Sequence, residues 1–396
     1  MKDTIINSLK EKYLTLHGDA PQLIVRAPGR INLIGEHTDY NDGFVFPAAI
    51  DKAIYFAAGR RNDDTISFFA NDLNDSFTSD IYEFERTRKQ WPNYLLGVID
   101  VLQKDGFELG GLNIVFGGNI PLGAGLSSSA AVETGMLYVL NQLFSLKIEK
   151  IRLIKYAQQA ENQFVGIQCG IMDMFASVMG KADAAIRLDC RDLSYEYFPF
   201  SFPDHELLII NTGVKHALVT SEYNTRRQEC ETGVALMMSI FPSIKSLRDV
   251  NSSMVLEAFE KGIFVDNQTI YSRCRYVCAE NERVEQASLI LKNADLEAFG
   301  TLMYASHEGL QYLYEVSCDE LDYLVDVTRK YNQKKPQSIV GARMMGGGFG
   351  GCTLNLVRRE EVERFIQFTS NLYFDAYQKV PETYHVSLCE IGRAHV

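Results

Sequence analysis

The chain has 396 residues, of which 46% are hydrophobic, 23% charged and 11% aromatic, which is typical of a folded globular protein. That length corresponds to about two to three domains. The net charge of −12 argues against a broad surface for nucleic acid or anionic lipid, although it is compatible with a local nucleotide site. The apolar runs are shorter than the roughly 18 residues of a membrane span, so we expect no membrane partner.

The N-terminal segment and the cysteines predict where in the cell the protein is located. Residues 2–10 mix both charges without a signal-peptide core, and they predict a short amphipathic helix. The eight cysteines include no CxxC pair, and Cys274 and Cys278 stand one helical turn apart without matching histidines. Such scattered cysteines are typical of buried free thiols in a reducing compartment. We therefore expect a cytoplasmic protein.

Strands and helices are interleaved along the whole chain. The apolar patterns predict strands over 23–34, 43–58, 112–116 and 207–211, and helices from Ser127 onward and over about 150–165. Ser317 and Glu320 are spaced as a capping box for a following helix. The stretch Phe200–Asp204 is the best candidate for a boundary. The sequence thus predicts two α+β domains, 1–205 and 206–396, with a site in the cleft between them.

The first polar cluster lies between the two N-terminal strands, in the run RAPGRINLIGEHTDYN of residues 26–41. Carboxylates accept hydrogen bonds from hydroxyl groups, and an imidazole can donate or accept. The cluster therefore suits recognition of a polyhydroxylated ligand. Glu36, His37 and Asp39 alone would also allow a metal site, although no further histidine lies nearby, and a solvated loop is the third alternative.

A glycine- and serine-rich run, PLGAGLSSSA over residues 121–130, joins a predicted strand to a predicted helix. Glycines allow close backbone approach to a ligand, and a helix N-terminus presents free N–H groups. The serine hydroxyls could reach phosphate oxygens or a metal ion. The run is neither a Walker A motif nor GxGxxG. It predicts a phosphate cradle, with a tight turn and a serine N-cap as the alternative.

Two carboxylates further along the chain stand among apolar residues. At 100° per residue, Glu161 falls in the middle of the apolar face of the 150–165 helix, so it either pairs with a cation or binds a metal. Asp173 has apolar neighbours on both sides, and it is a candidate general base or charge stabiliser, or else a helix cap.

A second glycine run, GGGFGGC over residues 346–352, lies between two strand-like segments. Ordering so many glycines in one turn is costly in conformational entropy, and a hairpin turn needs far fewer of them. We predict a backbone wall against a nucleotide or against the 121–130 loop, and a close-packed bulge is the alternative.

Together these segments resemble the galactokinase family of the GHMP kinases. Residues 26–41 match the galactokinase signature, 121–130 the ATP loop of the superfamily, and 346–352 its third motif. The resemblance covers essentially the whole chain. It implies the two-lobed GHMP kinase α+β fold, in which an N-terminal mixed-sheet lobe with helices and a ferredoxin-like C-terminal α+β lobe enclose the active site.

The resemblance also implies roles for individual residues. It makes Asp173 the catalytic aspartate and Arg30 the arginine that stabilises the transferring phosphoryl group. The implied sugar-binding residues are Glu36, His37, Thr38, Asp39, Gly170 and Tyr223. The implied ATP-binding residues are Trp91, Gly123, Ala124, Gly125, Leu126, Ser127, Ser128 and Ser129. The implied Mg²⁺ ligands are Ser129 and Glu161. Met174 departs from the family, which commonly has glutamine there.

The implied activity is an ATP-dependent sugar-1-kinase that phosphorylates the C1 hydroxyl of α-D-galactose with Mg²⁺, as a monomer or weak dimer. Two alternatives stay open. A kinase for N-acetylgalactosamine or another sugar would share nearly every motif. A galactose-sensing regulator would bind sugar and ATP without turnover, but such a sensor is expected to have lost part of the serine run, which is intact here.

Overall fold

The structure is a computed structural model that describes residues 2–121, 123–214 and 219–393. Within these ranges the helices are α1 (Lys2–His17), α2 (Trp91–Lys104), α3 (Ser128–Leu143), α4 (Lys150–Gln159), α5 (Met172–Met179), α6 (Val219–Met237), α7 (Ser252–Glu260), α8 (Gln268–Lys292), α9 (Leu296–Tyr312), α10 (Asp319–Lys334) and α11 (Val362–Tyr377). The strands are β1 (Leu23–Asn32), β2 (Phe44–Val45), β3 (Pro47–Arg60), β4 (Thr65–Ala70), β5 (Asp75–Asp80), β6 (Leu112–Gly118), β7 (Ala184–Asp189), β8 (Tyr195–Pro199), β9 (His205–Asn211), β10 (Ile339–Met345), β11 (Cys352–Arg358), β12 (Glu382–Val386) and β13 (Gly392–Arg393).

The N-terminal half is built on a six-stranded sheet in the order β13-β1-β3-β6-β4-β5. All its pairs are antiparallel except β4 with β6. Side chains alternate between the faces of a strand. In β3 the alternation sends Phe56 into the main core, which includes α3 and α5, and sends Tyr55 and Ala57 against α1. Both faces of this sheet are therefore covered.

The C-terminal half contains a four-stranded antiparallel sheet in the order β10-β11-β9-β12. With helices between β9 and β10 and α11 between β11 and β12, this is the strand order of a ferredoxin-like β-α-β-β-α-β unit. Helices α10 and α11 cover one face through Leu324, Phe365 and Tyr373, which are buried beside Leu208 and Ile210 of β9.

The chain passes between the two sheets more than once. Strand β9 begins at His205, where the sequence predicts the second domain to start, but β13 pairs with β1 in the first sheet. A separate three-stranded sheet, β2-β7-β8, lies against β3. The division at residue 205 stays a prediction.

Several local predictions can be compared with the structure. The helix predicted over 150–165 is α4 followed by a π-helical turn at Ala160–Val165. The prediction of a capping box at Ser317 and Glu320 is wrong, because α10 begins one residue later than predicted, with Cys318 at the N-cap. The hydroxyl of Ser317 donates instead to a carboxylate oxygen of Asp322, at 2.5 Å. All eight cysteines are free thiols, but only four of them are buried as predicted, namely Cys230, Cys274, Cys278 and Cys352. Among the described residues, no helix is long and apolar enough to cross a membrane.

Candidate active site

A cavity of about 230 Å³ gathers most of the polar residues that the sequence singles out. Its lining is Arg30, Glu36, His37, Asp39, Ser129, Glu161, Ile167, Cys169, Gly170, Met172, Asp173, Tyr223, Gly346 and Gly347. Thr38 does not line the cavity. It is fully buried, and its hydroxyl donates to the carbonyl oxygens of Gly35 and Phe44.

Arg30 and Asp173 form a bidentate ion pair at the cavity wall. The Arg30 Nε and Nη2 groups donate to the two carboxylate oxygens of Asp173 at 2.7 and 2.9 Å, and Nη1 donates to the carbonyl oxygen of Gly125 at 2.6 Å. The hydroxyl of Ser127 also donates to Asp173. The pair therefore joins the 26–41 segment, the glycine–serine run and α5 at one point. Because the N-cap of α5 is Ile171, Asp173 is not the helix cap that the sequence allowed.

The local backbone explains how Arg30 reaches this point. The register of β1 against β3 shifts between Pro28 and Arg30, and the Arg30 N–H group donates to the carbonyl oxygen of Leu126 at 3.2 Å. A Cβ added at Gly29 would lie 2.6 Å from that same Leu126 oxygen. Glycine is therefore required for the strand to approach the loop so closely.

Glu36 is a buried carboxylate with protein partners from the other half of the chain. The Gly346 N–H group donates to its Oε1 at 2.9 Å, and Arg343 Nη2 lies 3.4 Å from the same oxygen. Gly346 also approaches the first loop, because an added Cβ would lie 3.3 Å from the carbonyl oxygen of Gly125. The second glycine run therefore packs against the first, as one of the two predicted arrangements requires.

His37 begins a chain of buried hydrogen bonds. Its Nε2 lies 3.2 Å from the carbonyl oxygen of Gly347, and its Nδ1 lies 2.7 Å from the Tyr40 hydroxyl. Burial lowers the pKa of His37 to about 3, so the ring is neutral at pH 7. A carbonyl oxygen only accepts, so Nε2 carries the proton and Nδ1 accepts from Tyr40. Tyr40 then accepts from Tyr314, 2.6 Å away, and Tyr314 from the Cys230 thiol at 3.2 Å.

Asp39, Gly170 and Tyr223 complete this part of the cavity. A side chain at Gly170 would overlap the Asp39 carboxylate, so the two residues require each other. Burial, together with the charge of Asp173, raises the pKa of Asp39 to about 7. The ring centroid of Tyr223 lies 5.4 Å from that of His37, in contact with the buried chain described above. Among the described residues no group of three acidic, histidine or cysteine side chains converges as a metal site, so the metal alternative for Glu36, His37 and Asp39 fails.

Glu161 and Ser129 lie at the other end of the cavity. Glu161 sits on the π-helical turn and is only 5% exposed, and the Cys169 thiol donates to its Oε2 at 3.3 Å. No basic side chain pairs with it among the described residues, so the paired core carboxylate finds no support in that part of the chain. Burial raises its pKa to about 7, despite hydrogen bonds from Cys169 and Ser129. A hydroxyl and a carboxylate are hard oxygen donors of the kind that Mg²⁺ takes, together with waters and substrate phosphates.

A second, more apolar cavity of about 170 Å³ adjoins Ser129. It is lined by Ile54, Ala70, Asp72, Leu73, Trp91, Tyr94, Phe116, Ser128, Ser129 and Val132. Gly123 and Gly125 have positive φ angles of 75° and 69°, and the loop leads directly to the N-terminus of α3 at Ser128. Leu122 lies outside the described residues. The pair of cavities thus combines an apolar slot with a helix N-terminus, an arrangement suited to a nucleotide base and its phosphates.

The fold places the chain in a superfamily. Models of the GHMP kinases N terminal domain and of the GHMP kinases C terminal domain match residues 93–181 and 288–373. A crystal structure of mevalonate kinase, 18% identical, superposes with a TM-score of 0.63 over 93% of this chain and 100% of that one, a likeness of fold. The predicted two-lobed GHMP kinase fold is confirmed.

Closer matches identify the family. The galactokinase galactose-binding signature matches residues 11–60. A galactokinase of Roseiflexus sp. is 41% identical over 97% of this chain and 95% of its own length. The crystal structure of Lactococcus lactis galactokinase complexed with galactose is 33% identical and superposes with a TM-score of 0.92, over 98% of this chain and 100% of that one. The chain belongs to the galactokinase family of ATP-dependent sugar kinases.

Several residues that contact or lie near the cavity-lining residues escape the sequence analysis. Arg343 is fully buried on β10. It could have been identified from the sequence, because it is the charged residue inside the apolar run IVGARMM. Tyr40 belongs to the polar run of residues 26–41, but Tyr314 carries no signal, because aromatic residues are ordinary core residues. Glu133, also fully buried, stands four residues after Ser129 among apolar residues of α3, the same kind of signal that identified Glu161.

Proposed function

We propose that this protein transfers the γ-phosphoryl group of ATP to the C1 hydroxyl of α-D-galactose, giving α-D-galactose 1-phosphate and ADP. The observation that carries the proposal is the bidentate Arg30–Asp173 pair, at the point where the signature segment meets the glycine–serine run. Phosphoryl transfer depends mainly on positioning the reactants and on neutralising the charge of the phosphoryl group. The pair fixes one cationic and one anionic group beside the transferring phosphorus.

We assign complementary roles to the two members of the pair. Arg30, which is held in place by Asp173 and the carbonyl oxygen of Gly125, covers the charge that develops on the transferring phosphoryl group. Asp173 has lone pairs beyond those engaged by Arg30 and Ser127, and with one of them it accepts or orients the proton of the C1 hydroxyl.

We assign the sugar hydroxyls to Glu36, His37, Asp39 and Tyr223, which with Gly170 form what we call the sugar end of the cavity. Both ring nitrogens of His37 already have protein partners, so His37 contacts the sugar through its ring edge, and Glu36, Asp39 and Tyr223 supply the hydrogen-bonding groups. Thr38 supports this segment through its two backbone hydrogen bonds rather than through contact with the sugar.

We assign Mg²⁺ to Ser129 and Glu161, which we call the cation end, and the nucleotide to Trp91 and residues 123–129. The cation, when bound, neutralises phosphate charge. Glu161 supplies a carboxylate without a basic partner among the described residues, and Ser129 supplies a hydroxyl at the start of α3. The apolar cavity beside Trp91 and Phe116 takes the adenine ring. ATP and galactose are the proposed partners, both small molecules.

An ADP-release assay across galactose, N-acetylgalactosamine, glucose and mevalonate tests the proposal. We expect turnover of galactose and far poorer turnover of glucose, since one unpaired buried polar group costs about 1–3 kcal/mol. A preference for N-acetylgalactosamine would replace galactose by its 2-acetamido relative. Binding of galactose and ATP without ADP release would make the protein a sensor. Equal kcat/KM for glucose and galactose would exclude the galactose assignment.

A further inference from the structure

Glu133 is a buried carboxyl group that the mechanism above does not use. It lies on α3, its side chain is 0% exposed, and neither carboxylate oxygen has a hydrogen-bond partner among the described residues. Its electrostatic neighbours are the carboxylates of Glu161 and Asp173. Burial and these two charges raise its pKa well above the ordinary range. An unpaired buried carboxyl is costly to keep, so a specific use is expected.

A second buried glutamate shows how unusual this arrangement is. Glu280 on α8 is also 0% exposed, but its oxygens accept hydrogen bonds from the Gly35 N–H group at 2.8 Å, from Ser306 at 2.6 Å and from Arg283 at 2.6 Å. The fold therefore gives a structural buried glutamate hydrogen-bond donors for its carboxylate oxygens. Glu133 has no such donors among the described residues.

The helix relates Glu133 directly to the cation end. Residues four apart lie on the same face of an α-helix, so Glu133 follows Ser129 one turn further along the face that meets Glu161. Among the described residues no three acidic, histidine or cysteine groups converge closely enough to bind one ion. Mg²⁺ is usually bound by one or two carboxylates and keeps several waters, which leaves a role for a carboxylate that holds bound water.

We propose that Glu133 is a positioning residue of the cation end, where its carboxylate accepts hydrogen bonds from water bound to the divalent cation held by Ser129 and Glu161. The proposal rests on the cation assignment made above. It explains why a carboxyl group with no protein partner is kept beside two other carboxyl groups, because a bound cation favours its ionised form. Groups in this outer position typically contribute about 10- to 100-fold to metal affinity.

The test is a Mn²⁺ titration, followed by electron paramagnetic resonance, of protein saturated with a non-hydrolysable ATP analogue. Glu133→Gln is expected to weaken Mn²⁺ binding about 10- to 100-fold. It should leave the affinity for the analogue in EDTA unchanged, and the melting temperature of the ligand-free protein no lower. The matched control Glu280→Gln should give the reverse result, a lower melting temperature with unchanged Mn²⁺ affinity, because it removes a satisfied buried acceptor.

Unchanged Mn²⁺ affinity in a folded Glu133→Gln variant would overturn the proposal. If that variant does not fold, Glu133→Asp keeps the charge but retracts it by one methylene, and wild-type Mn²⁺ affinity in Glu133→Asp would equally overturn it. Failure of the cation assignment itself looks different, because Glu161→Gln would then bind Mn²⁺ as tightly as the wild-type protein in the presence of the analogue.

Discussion

At the sugar end of the cavity Glu36 and His37 are held by partners from other segments of the protein, whereas the carboxylates at the cation end have no basic partner among the described residues. Glu36 accepts from Gly346 and lies beside Arg343, and His37 is held between Gly347 and Tyr40. Glu161 has hydrogen bonds but no basic partner among the described residues, and Glu133 has neither.

This difference indicates how each end is organised before its ligand arrives. A neutral ligand such as a sugar adds no charge, so groups that bind it must be satisfied and oriented by the protein alone. A cation is positively charged, so the fold can hold carboxylates close together before it binds. Their mutual repulsion lowers the stability of the ligand-free protein, and binding of the cation offsets that loss. The Arg30–Asp173 pair lies between the two ends, and four predictions follow from that arrangement.

The largest effect is expected at the Arg30–Asp173 pair, between the sugar end and the cation end. Arg30→Ala and Asp173→Asn should each lower kcat at least about 100-fold, the usual scale for one contact made in the transition state. The KM for galactose should change little in Arg30→Ala. A melting scan comes first, because each change breaks a buried ion pair. Near-wild-type turnover in either folded variant would refute the assigned roles.

At the cation end, Glu161→Gln should lower activity at limiting Mg²⁺ by about 10-fold or more, and excess Mg²⁺ should partly restore it. The physical reason is the loss of one of two assigned ligands while the isosteric side chain keeps its hydrogen-bonding capacity. Initial rates across a Mg²⁺ titration measure the effect. An activity loss that Mg²⁺ does not relieve, together with a lower melting temperature, would instead mean that Glu161 is structural.

At the sugar end, Tyr314→Phe should raise the KM for galactose up to about 10-fold with kcat nearly unchanged, since one hydrogen bond contributes about 0.5–1.5 kcal/mol. The variant removes the donor to Tyr40, and His37 loses part of its orientation. Tyr304→Phe is the matched control, because it removes a comparable hydrogen bond to Thr328 away from the cavity. Equal KM changes in both variants would show that the effect is general destabilisation.

The last prediction concerns a different quantity, the pH dependence of stability. The pKa of Asp39 is raised to about 7, so the folded protein keeps that proton at pH values where the unfolded chain has released it. Stability of the ligand-free protein should therefore fall as pH rises from about 4 to about 7. Asp39→Asn should decline less steeply in melting scans over this range. Parallel pH profiles for the two proteins would show that Asp39 is not responsible.

The sequence predicts the site better where a charged residue interrupts an apolar pattern. Glu161 was identified from its position on an apolar face, even though the helix changes to a π-helical turn at that point. Glu133 gave the same signal and was missed, because α3 is buried on nearly every side and its apolar face has no clear edge.

Long-range partners could not be predicted from local pattern at all. Arg343 contacts Glu36, and Tyr314 contacts His37, from segments about 300 residues away along the chain. Their positions depend on how the two sheets pack, which hydrophobic periodicity does not specify. The capping box at Ser317 failed for a smaller reason, since a shift of one residue in the start of α10 moves Glu320 out of its capping position.

The return of the chain to the first sheet has a mechanical consequence. Leu388 forms an isolated bridge with Ile50, Ser387 accepts from the Asp51 N–H group, and β13 pairs with β1. The segment that carries β9 to β12 is therefore connected to the first sheet at both of its ends, and Leu207, Ile209 and Leu354 share one hydrophobic core with residues of the first sheet. A second connection limits the directions in which the two sheets can move relative to each other.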